Sequence, residues 1–472
     1  MMIPYRFCIA LLWHVVRLTC IKRKPVYSMK LSWLLLFMII TPFKAYAAGF
    51  ALTEQQGNLS NSFAGSAAVA EDASTIFFNP AGLVRLNDDT QLIATLDILA
   101  PKIDFTNTLS RVNPNLGGNP ITGSDGGDAG VIVPIPNLYL AHRINERLSA
   151  GVGINAPFGL ITEYEHGWVG RYHALKSELQ TININPSLAW RMNKNLSLGV
   201  GLNAQYIDIE LSNALDQSSI CLASGFPLCA GAGLATPGNP DTDAKVGIRM
   251  DSWGVGFNIG LLYEADSDTR LGIHYRSKIS HTPEGSADFS QITLPTALTL
   301  TGAFTDQGAS TKLVLPDSLS IGVFHNMSKS LSVMAGMTWT QWSRFQQLVV
   351  RFDSGQPDQV TPANWQDTWK FSVGFNYQMN SKWNLFTGFV YDETPIPNAA
   401  LRNPRLPDGD RYWFAGGLSY RHSDQFSLKL GLSQLFIGNV DLDNTEVNTG
   451  HVLAGKADVS ASAIRFQIDW NW

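Results

Sequence analysis

The sequence predicts an all-β fold, a 14-stranded antiparallel transmembrane β-barrel with an N-terminal hatch, or plug, inside its lumen. Three observations predict it. Six short polar turns each precede a strand of alternating apolar and polar residues, and no run of about 20 apolar residues follows the N-terminal region. The chain also ends in an apolar stripe at every second position, Ile464, Phe466, Ile468, Trp470 and Trp472. An unpaired edge strand with so many apolar residues would cause aggregation in water, whereas closure of the sheet into a barrel leaves no unpaired edge.

Each short turn precedes a strand whose two faces differ in polarity. The turns are Asn145-Glu146, Met192-Asn193-Lys194-Asn195, Asp266-Ser267-Asp268, Met327-Ser328-Lys329, Asn380-Ser381-Lys382 and Ser423-Asp424, and the strands after them open RLSAGVGI, LSLGVGL, TRLGIHY, SLSVMAGM, WNLFTGF and FSLKLGL. In the strand from Leu196, apolar Val200 and Leu202 alternate with Gly201 and Asn203. One face therefore suits lipid, and the other suits a polar or small-lined interior.

The turn spacing predicts fourteen strands over a barrel domain of residues 90–472. Their expected spans are 90–106, 133–144, 147–158, 177–192, 195–211, 251–265, 269–280, 317–327, 330–351, 366–379, 382–394, 411–422, 425–437 and 460–472. Six short turns then alternate with seven longer connections. This asymmetry is typical of barrels in the outer membrane of Gram-negative bacteria, in which the long loops are extracellular.

Residues 1–47 have the composition of a removed export segment. From Met29, a basic residue, the apolar run 31–40 and Ala45-Tyr46-Ala47 supply the three parts of a signal peptide, with cleavage after Ala47. Residues 1–28 precede it, so either Met29 is the true start or the signal has a long n-region. Without residues 1–47, 27 Lys and Arg oppose 39 Asp and Glu, a balance of about −12 that argues against a nucleic-acid partner.

Two cysteines, Cys221 and Cys229, remain in the mature chain, eight residues apart in a loop rich in Gly and Pro. Export favours a local disulfide over two free thiols. The histidines are scattered, without an HExxH motif, a CxxC pair or a G-x-S-x-G motif. We therefore expect no metal, no cofactor and no enzyme activity.

Two segments outside the strands are unusually apolar. Residues 48–89 lack strand alternation, yet apolar side chains recur through them, which favours a plug inside a wide barrel over a disordered leader. The loop 284–316 contains the apolar residues Leu294, Leu298, Leu300 and Phe304. Such a loop either captures an apolar ligand at the surface or packs against its neighbours.

Four blocks of sequence resemble the outer-membrane transporters of long-chain fatty acids, a family that includes uptake porins for toluene and xylene. The blocks are AGFALTEQQGNLSNSFAGSAAVAEDASTIFFNPAGL, APFGLITEYEHGWVGRYHALKSELQTININPSLAW, SRFQQL and TPIPNAALRNPRLPDGDRYWFAGGLSY. They span nearly the whole mature chain in the family's order. The resemblance implies a fourteen-stranded barrel occluded by an N-terminal hatch, in agreement with the strand count and the plug.

The resemblance also implies a route. An apolar molecule is caught outside the cell and moves to a pocket against the hatch, and a shift of the N-terminal segment releases it sideways into the membrane. The matching hatch and gating residues are Gly49, Phe50, Asn79, Pro80 and Ala81. The alternatives are that Phe50 is one apolar contact of the plug and that Asn79-Pro80-Ala81 is an ordinary turn.

The resemblance places the lateral opening in the third strand, at Asn155, Ala156, Pro157, Phe158 and Gly159. Proline cannot donate to the strand ladder, and the nearby glycine permits an irregular backbone. The alternative is that Pro157 only ends the strand at the rim of the barrel.

The position of a ligand carboxylate is less clear from the resemblance. The basic residues that hold it in fatty-acid members correspond here to positions near Asn213 and Thr361, which are uncharged. Arg171, His173 and Arg249 are nearby basic candidates, because a carboxylate is costly to bury unpaired. Each is otherwise a solvated loop residue.

The sequence thus predicts passive uptake of long-chain fatty acids or similar hydrophobic compounds by a monomer surrounded by outer-membrane lipid and lipopolysaccharide. Uptake of small aromatic hydrocarbons is the second hypothesis, and a bound carboxylate separates the two. A general diffusion porin is disfavoured by the plug and the apolar loop. An outer-membrane enzyme is disfavoured because no serine motif accompanies the loop histidines.

Overall fold

The computed structural model describes residues 49–52, 64–86, 89–300, 302–354 and 356–472. The predicted signal segment 1–47 and its cleavage point lie outside these residues. Within the described ranges, no helix is long and apolar enough to cross a membrane.

The described chain consists mainly of strands. They are β1 Thr90–Asn107, β2 Val133–Asn145, β3 Leu148–Asn155, β4 Gly159–Glu163, β5 Lys176–Arg191, β6 Leu196–Asp216, β7 Asp243–Glu264, β8 Thr269–Arg276, β9 Ile279–His281, β10 Glu284–Ser290, β11 Gln307–Ser310, β12 Leu313–Leu315, β13 Ser318–Asn326, β14 Leu331–Thr340, β15 Gln347–Phe352, β16 Gln359–Pro362, β17 Thr368–Gln378, β18 Trp383–Asp392, β19 Arg411–Arg421, β20 Phe426–Thr445 and β21 Val452–Asn471. Short helices are α1 Ser66–Val69, α2 Thr75–Phe78, α3 Gln217–Ala223 and α4 Thr296–Thr299, with 3₁₀ turns at Pro80–Arg85, Pro114–Leu116, Pro240–Thr242 and Trp342–Arg344.

These strands form a closed barrel with 14 antiparallel wall positions, as predicted. The seam is the pairing of β1 with β21, which runs from Gln91↔Asn471 to Asn107↔Gly455. Five wall positions hold two strand segments in series, namely β3 with β4, β8 with β10, β11 with β13, β14 with β15 and β16 with β17. The short strands β9 and β12 pair only with each other among the described strands.

The alternation places its two faces as the sequence predicts. Along β6, Ser197, Asn203 and Gln205 are buried, whereas Val200 and Leu202 are exposed on the opposite face. The exposed apolar residues of neighbouring strands continue this outer surface, which therefore suits lipid.

The predicted strand ends differ from the structure at several places. Residues 284–290 and 307–310, predicted as part of a long loop, form the wall strands β10 and β11, and β7 begins at Asp243 instead of residue 251. The expected strand 330–351 breaks after Thr340, because the turn Trp342–Arg344 carries Trp342 inward until it is fully buried. The last hairpin is longer than expected, since β20 continues to Thr445 past a bulge between Phe436 and Gly438. Strand beyond the membrane no longer needs an apolar outer face, so the alternation that marks the other strands fades there.

Residues 64–86, here called the inner segment, pack against inward-facing glycines of the wall. A Cβ atom at Gly199, Gly260 or Gly272 would overlap the inner segment's backbone or the side chain of Asn79. A Cβ at Gly336 would lie 2.9 Å from the Gly65 nitrogen. Gly199, Gly272 and Gly336 belong to the strand openings LSLGVGL, TRLGIHY and SLSVMAGM, so at these three positions the glycine has a steric reason.

Polar side chains attach the inner segment to the same wall. Asn79 is fully buried, and its amide donates to the carbonyl of Leu261 on β7 (3.1 Å) and, within the inner segment, to that of Ala67 (2.6 Å). Lys429 on β20 pairs with Asp72 at 2.8 Å. The inner segment is therefore tied to both sides of the barrel.

Replacing Gly260 with valine is expected to displace the inner segment while the wall still forms, because overpacking costs about 1–3 kcal/mol and the wall ladder does not depend on that contact. Ion conductance in planar bilayers should rise. Gly247→Val is the matched control, since Gly247 lies on the same strand and a Cβ atom there would meet nothing within 4 Å. Equal conductance in both variants would contradict this account.

Candidate functional site

The third wall position contains a break between β3 and β4. The ladder with β5 stops at Asn155↔Asn183 and resumes at Gly159↔Gln180. The intervening residues 156–158, here called the strand break, include Pro157, which has no N–H to donate. On the other side, β2 pairs with β3 only as far as Leu138↔Ile154. The wall therefore lacks its ladder on both sides of the strand break.

Residues 49–52, here called the N-terminal arm, supply main-chain partners at this place. The Leu52 N–H donates to the Pro157 carbonyl at 2.9 Å, and the Gly159 N–H donates to the Phe50 carbonyl at 3.0 Å. Ala51 thereby faces Phe158 as an antiparallel bridge. The N-terminal arm acts as a short extra strand at the strand break.

The start of the N-terminal arm is clamped to the loop between β18 and β19. The Gly49 N–H donates to a carboxylate oxygen of Asp408 at 3.1 Å, and Arg411 donates to the Gly49 carbonyl. Arg411 and Asp408 also form an ion pair at 2.9 Å. Gly49 has a φ of +61°, and a Cβ there would lie 2.9 Å from the Trp365 ring. Only glycine fits this position without strain.

The Phe50 side chain lies in an aromatic cage. Its ring centroid is 5.0 Å from that of Trp342 and 5.6 Å from that of Trp365, with Phe345 and Phe158 about as close at 6.0 and 6.1 Å. Most of these contacts are edge to face, the favoured geometry for aromatic pairs. A ligand that enters the cage must compete with Phe50.

A cavity of about 540 Å³, here called the lateral cavity, extends from the N-terminal arm to the wall. Phe50 lines it on the inside, and Ile154 and Ile182 line it beside the strand break. Both isoleucines are exposed on the outer, lipid-facing surface, at 42% and 52%. The lateral cavity is apolar and falls within the ~300–1,000 Å³ of typical small-molecule sites.

A second cavity, of about 100 Å³, lies on the other side of Phe50 and is here called the Arg405 pocket. Its lining is apolar except for Ser177, Glu178, Thr361, Asn403 and Arg405, and Glu178 is paired with Lys176 at 2.7 Å. Arg405 is 8% exposed and donates to Ser177 Oγ at 2.9 Å and to Asn213 Oδ1 at 3.4 Å. Among the described residues, no carboxylate lies within ion-pair distance of it. Burial lowers the pKa of Arg405 to about 10, so it stays charged at neutral pH.

The basic candidates predicted from the sequence lie elsewhere. Arg171 is buried but pairs with Asp243 at 2.6 Å, and Arg249 is exposed and pairs with Glu210 at 3.3 Å. His173 donates to the Asn444 carbonyl, and burial lowers the pKa of His173 to about 3, which leaves it neutral. None of the three lines the lateral cavity or the Arg405 pocket.

Arg405 is the basic residue that sequence reasoning missed. It belongs to the block TPIPNAALRNPRLPDGDRYWFAGGLSY, but the sequence does not show that this loop folds inward. The two uncharged positions did indicate the right place in the fold, because Asn213 accepts a hydrogen bond from Arg405 and Thr361 lines the same pocket. Arg405 therefore places a positive charge beside Asn213 and Thr361, the two positions that are uncharged in this chain.

The apolar loop and the cysteines form one cluster. Cys221 and Cys229 are joined by a disulfide of 2.05 Å and pack with Leu294. Leu298 and Phe304 lie partly buried against this cluster, whereas Leu300 is 77% exposed. The structure thus places three of the four predicted capture residues in packing contacts and one at the surface.

The predicted hatch and opening residues take distinct positions. Gly49 and Phe50 lie in the N-terminal arm, and Asn79, Pro80 and Ala81 lie against the wall glycines of β6 and β7. Asn155 and Gly159 border the strand break. The residues predicted from the sequence therefore include both partners of the contact between the N-terminal arm and the strand break. They do not include Asp408 and Arg411, which clamp the arm.

Comparison with known proteins gives one consistent match. The family described as "Outer membrane protein transport protein (OMPP1/FadL/TodX)" matches residues 38–472. An outer membrane protein of Neisseria meningitidis serogroup B is 32% identical over 409 residues, which covers 83% of this chain and 87% of that protein. A long-chain fatty acid transport protein of Escherichia coli O6:H1 is 29% identical over 410 residues, with coverage of 83% and 87%. A FadL homologue from Pseudomonas aeruginosa has a similar structure, with a TM-score of 0.78, 24% identity and coverage of 91% and 100%.

Replacing Gly49 with valine is expected to release the N-terminal arm, because valine cannot adopt the left-handed backbone and would clash with Trp365. Amide hydrogen exchange at Gly159 should then accelerate by about 10-fold, since its partner is the Phe50 carbonyl. Gly167→Val is the control, because the space around Gly167 is open. Unchanged exchange in the Gly49 variant would show that the clamp does not hold the arm.

Proposed function

The chain belongs to the OMPP1/FadL/TodX family of outer membrane transport proteins, and from this premise we propose that it takes up long-chain fatty acids by ligand-gated lateral release. It is a β-barrel of the Gram-negative outer membrane that transports hydrophobic compounds. The observation that carries the choice of fatty acids is Arg405, a buried cation with no carboxylate within ion-pair distance among the described residues, which lines a largely apolar pocket. A carboxylate would offset that charge, and an acyl chain would fill the pocket.

The first step is capture in the Arg405 pocket. Arg405 presents its guanidinium to the carboxylate, and the acyl chain runs toward the aromatic cage that Phe50 occupies. The chain competes with the Phe50 ring for the same apolar surface. Binding therefore favours a conformation in which Phe50 has left the cage.

The second step is opening of the wall. Phe50 is part of the N-terminal arm, so its movement removes the hydrogen bonds to Pro157 and Gly159. Each such bond contributes about 0.5–1.5 kcal/mol net, an amount that ligand binding can offset. The lateral cavity then opens beside Ile154 and Ile182, and the ligand passes into the lipid without crossing water. The inner segment stays seated on the wall glycines as the hatch.

Transport by this route needs no energy source other than the ligand's own binding and partition into lipid. The closed wall has no free strand edge in the described barrel, which supports a monomer surrounded by outer-membrane lipid and lipopolysaccharide. Transport, and no catalysis, is the activity we infer for the chain, in line with its named relatives.

Uptake of small aromatic hydrocarbons is the second candidate. The cage of Trp342, Trp365, Phe345 and Phe158 favours it, because aromatic rings pack well edge to face. A neutral hydrocarbon would leave Arg405 without an anion, however. The two candidates therefore differ in whether transport depends on this charge.

Replacing Arg405 with glutamine is expected to lower oleate uptake by roughly 10- to 100-fold, the range of a lost charge-assisted hydrogen bond. Uptake of labelled oleate and toluene is compared in a bacterial strain without its own fatty acid transporter. Arg405→Lys should retain part of the oleate uptake, and Arg351→Gln, at an exposed site, should retain all of it. Equal loss of oleate and toluene uptake would mean a folding defect, and no loss of either would refute the role of Arg405.

A disulfide between cysteines placed at Ala51 and Phe158 is expected to block uptake, because these residues face each other in an antiparallel bridge and the bond locks the arm. A reductant should restore uptake. The single variants Ala51→Cys and Phe158→Cys, and the native chain treated with reductant, serve as controls. Full uptake by the locked chain would show that the arm does not move during transport.

A further inference from the structure

A second arginine, Arg276 at the end of β8, is also buried without an acidic partner in the described chain. It is 8% exposed, and its partners are neutral: Asn203 Oδ1 at 2.5 Å and the Phe77 carbonyl at 2.9 Å. Its guanidinium also lies 4.3 Å from the centre of the Phe77 ring. Arg270, near the start of the same strand, also bonds inner-segment carbonyls but has Glu71 at 3.9 Å. Arg276 alone of this pair lacks an anion.

Arg276 lines a small cavity of about 80 Å³, here called the Arg276 slot. The slot lies between the inner segment, at Phe77 and Phe78, and the cage residues Phe158 and Trp342. Since a water molecule takes about 30 Å³, the slot has room for roughly two or three waters, or for one carboxylate group. An acyl chain does not fit inside it.

The charges around the Arg276 slot leave one positive charge unbalanced. Lys370 and Asp392 also line the slot, but they are direct partners in the register of β17 and β18, so their charges oppose each other. The remaining polar lining is neutral serine and threonine, apart from His274 beside Arg276. A single anion therefore suits this slot.

The Arg276 slot adjoins the lateral cavity. Ala51 and Phe158 line both, so the two spaces adjoin at the contact between the N-terminal arm and the strand break. A ligand with its anionic group in the slot would place its apolar part in the lateral cavity, which is mainly apolar and has a volume of about 540 Å³. The slot and the lateral cavity thus form one amphipathic site once the arm has moved.

We propose that Arg276 is a second carboxylate site, which holds the fatty acid headgroup while the acyl chain lies in the lateral cavity. This inference rests on the proposed function, because it needs a carboxylate ligand that has already passed Phe50. It gives the release a direction: the acyl chain enters the lipid beside Ile154 and Ile182 first, and the carboxylate leaves last. Without a second cation, the carboxylate would leave Arg405 for an apolar space at high cost.

A structural role for Arg276, as a tie between the wall and the Phe77 carbonyl, predicts different behaviour. Arg270 makes the equivalent tie to the carbonyls of Ala68 and Val69, and it lines neither the slot nor the lateral cavity. Arg270→Gln is therefore the matched control for Arg276→Gln. If holding the inner segment were the whole role, both variants would show the same defect, for oleate and for oleyl alcohol alike.

The test measures carboxylate contact directly. The full chain, with ¹⁵N-labelled arginine, is reconstituted in lipid with [1-¹³C]oleate, and solid-state NMR records the dipolar coupling between the carboxyl carbon and guanidinium nitrogens. We expect coupling in the native chain to fall in part in Arg276→Gln and in part in Arg405→Gln, and to remain in Arg270→Gln. Arg276→Lys, which keeps the positive charge, should retain part of the oleate uptake. Oleate uptake should fall roughly 10- to 100-fold in Arg276→Gln, and oleyl alcohol uptake should not change.

The outcomes separate the two proposals. Native coupling in Arg276→Gln would overturn the second site and leave the proposed function intact. Native coupling and uptake in Arg405→Gln would overturn the proposed function itself. A fall in Arg270→Gln equal to that in Arg276→Gln would assign Arg276 a structural role only.

Discussion

The constraint on which the structure depends is that main-chain groups in the membrane wall need partners. Lipid offers no hydrogen bonds, so a barrel must satisfy its backbone internally. The strand break at 156–158 interrupts the ladders to β2 and β5, and the N-terminal arm supplies partners at Pro157 and Gly159. The part of the wall without its own ladder therefore depends on the N-terminal arm for main-chain partners, and in the proposed mechanism this dependence couples ligand binding inside the barrel to opening at its side.

The charged and apolar parts of the path have complementary roles. In the proposed mechanism, aromatic packing around Phe50 holds the arm in place. Arg405 lines the pocket beside Phe50, Arg276 lines the slot beside Ala51, and both have neutral hydrogen-bond partners. A buried cation is costly in a protein interior unless an anion meets it. Keeping two such cations along an apolar path is understandable if the cargo brings a charge with it. The glycine contacts of the inner segment leave the arm as the part that can move.

The sequence predicts most of the barrel wall but only part of the candidate site. Alternation and turns predict the barrel because each wall residue faces either lipid or the interior, as Leu202 and Asn203 show. The same rule fails for strand 330–351, where Trp342 leaves the wall for the core. The roles of Arg405 and of the clamp of Asp408 and Arg411 were not predicted, because they depend on how a long loop folds inward. The alternation of apolar and polar residues carries no information about the conformation of such a loop. Arg171 has the right residue type, but its partner Asp243 is distant in the sequence.

The wall glycines have a consequence for use of this barrel as an engineered pore. Deleting the inner segment would clear the lumen, but it would leave a band of bare backbone around Gly199, Gly260 and Gly272, where no side chain covers the strands. The narrowest part of such a pore would have to be built by introducing side chains at these positions. Because the atoms nearest to a Cβ at these positions belong to the inner segment, its removal would leave room on the neighbouring strands β6, β7 and β8 for side chains that change pore diameter and ion selectivity.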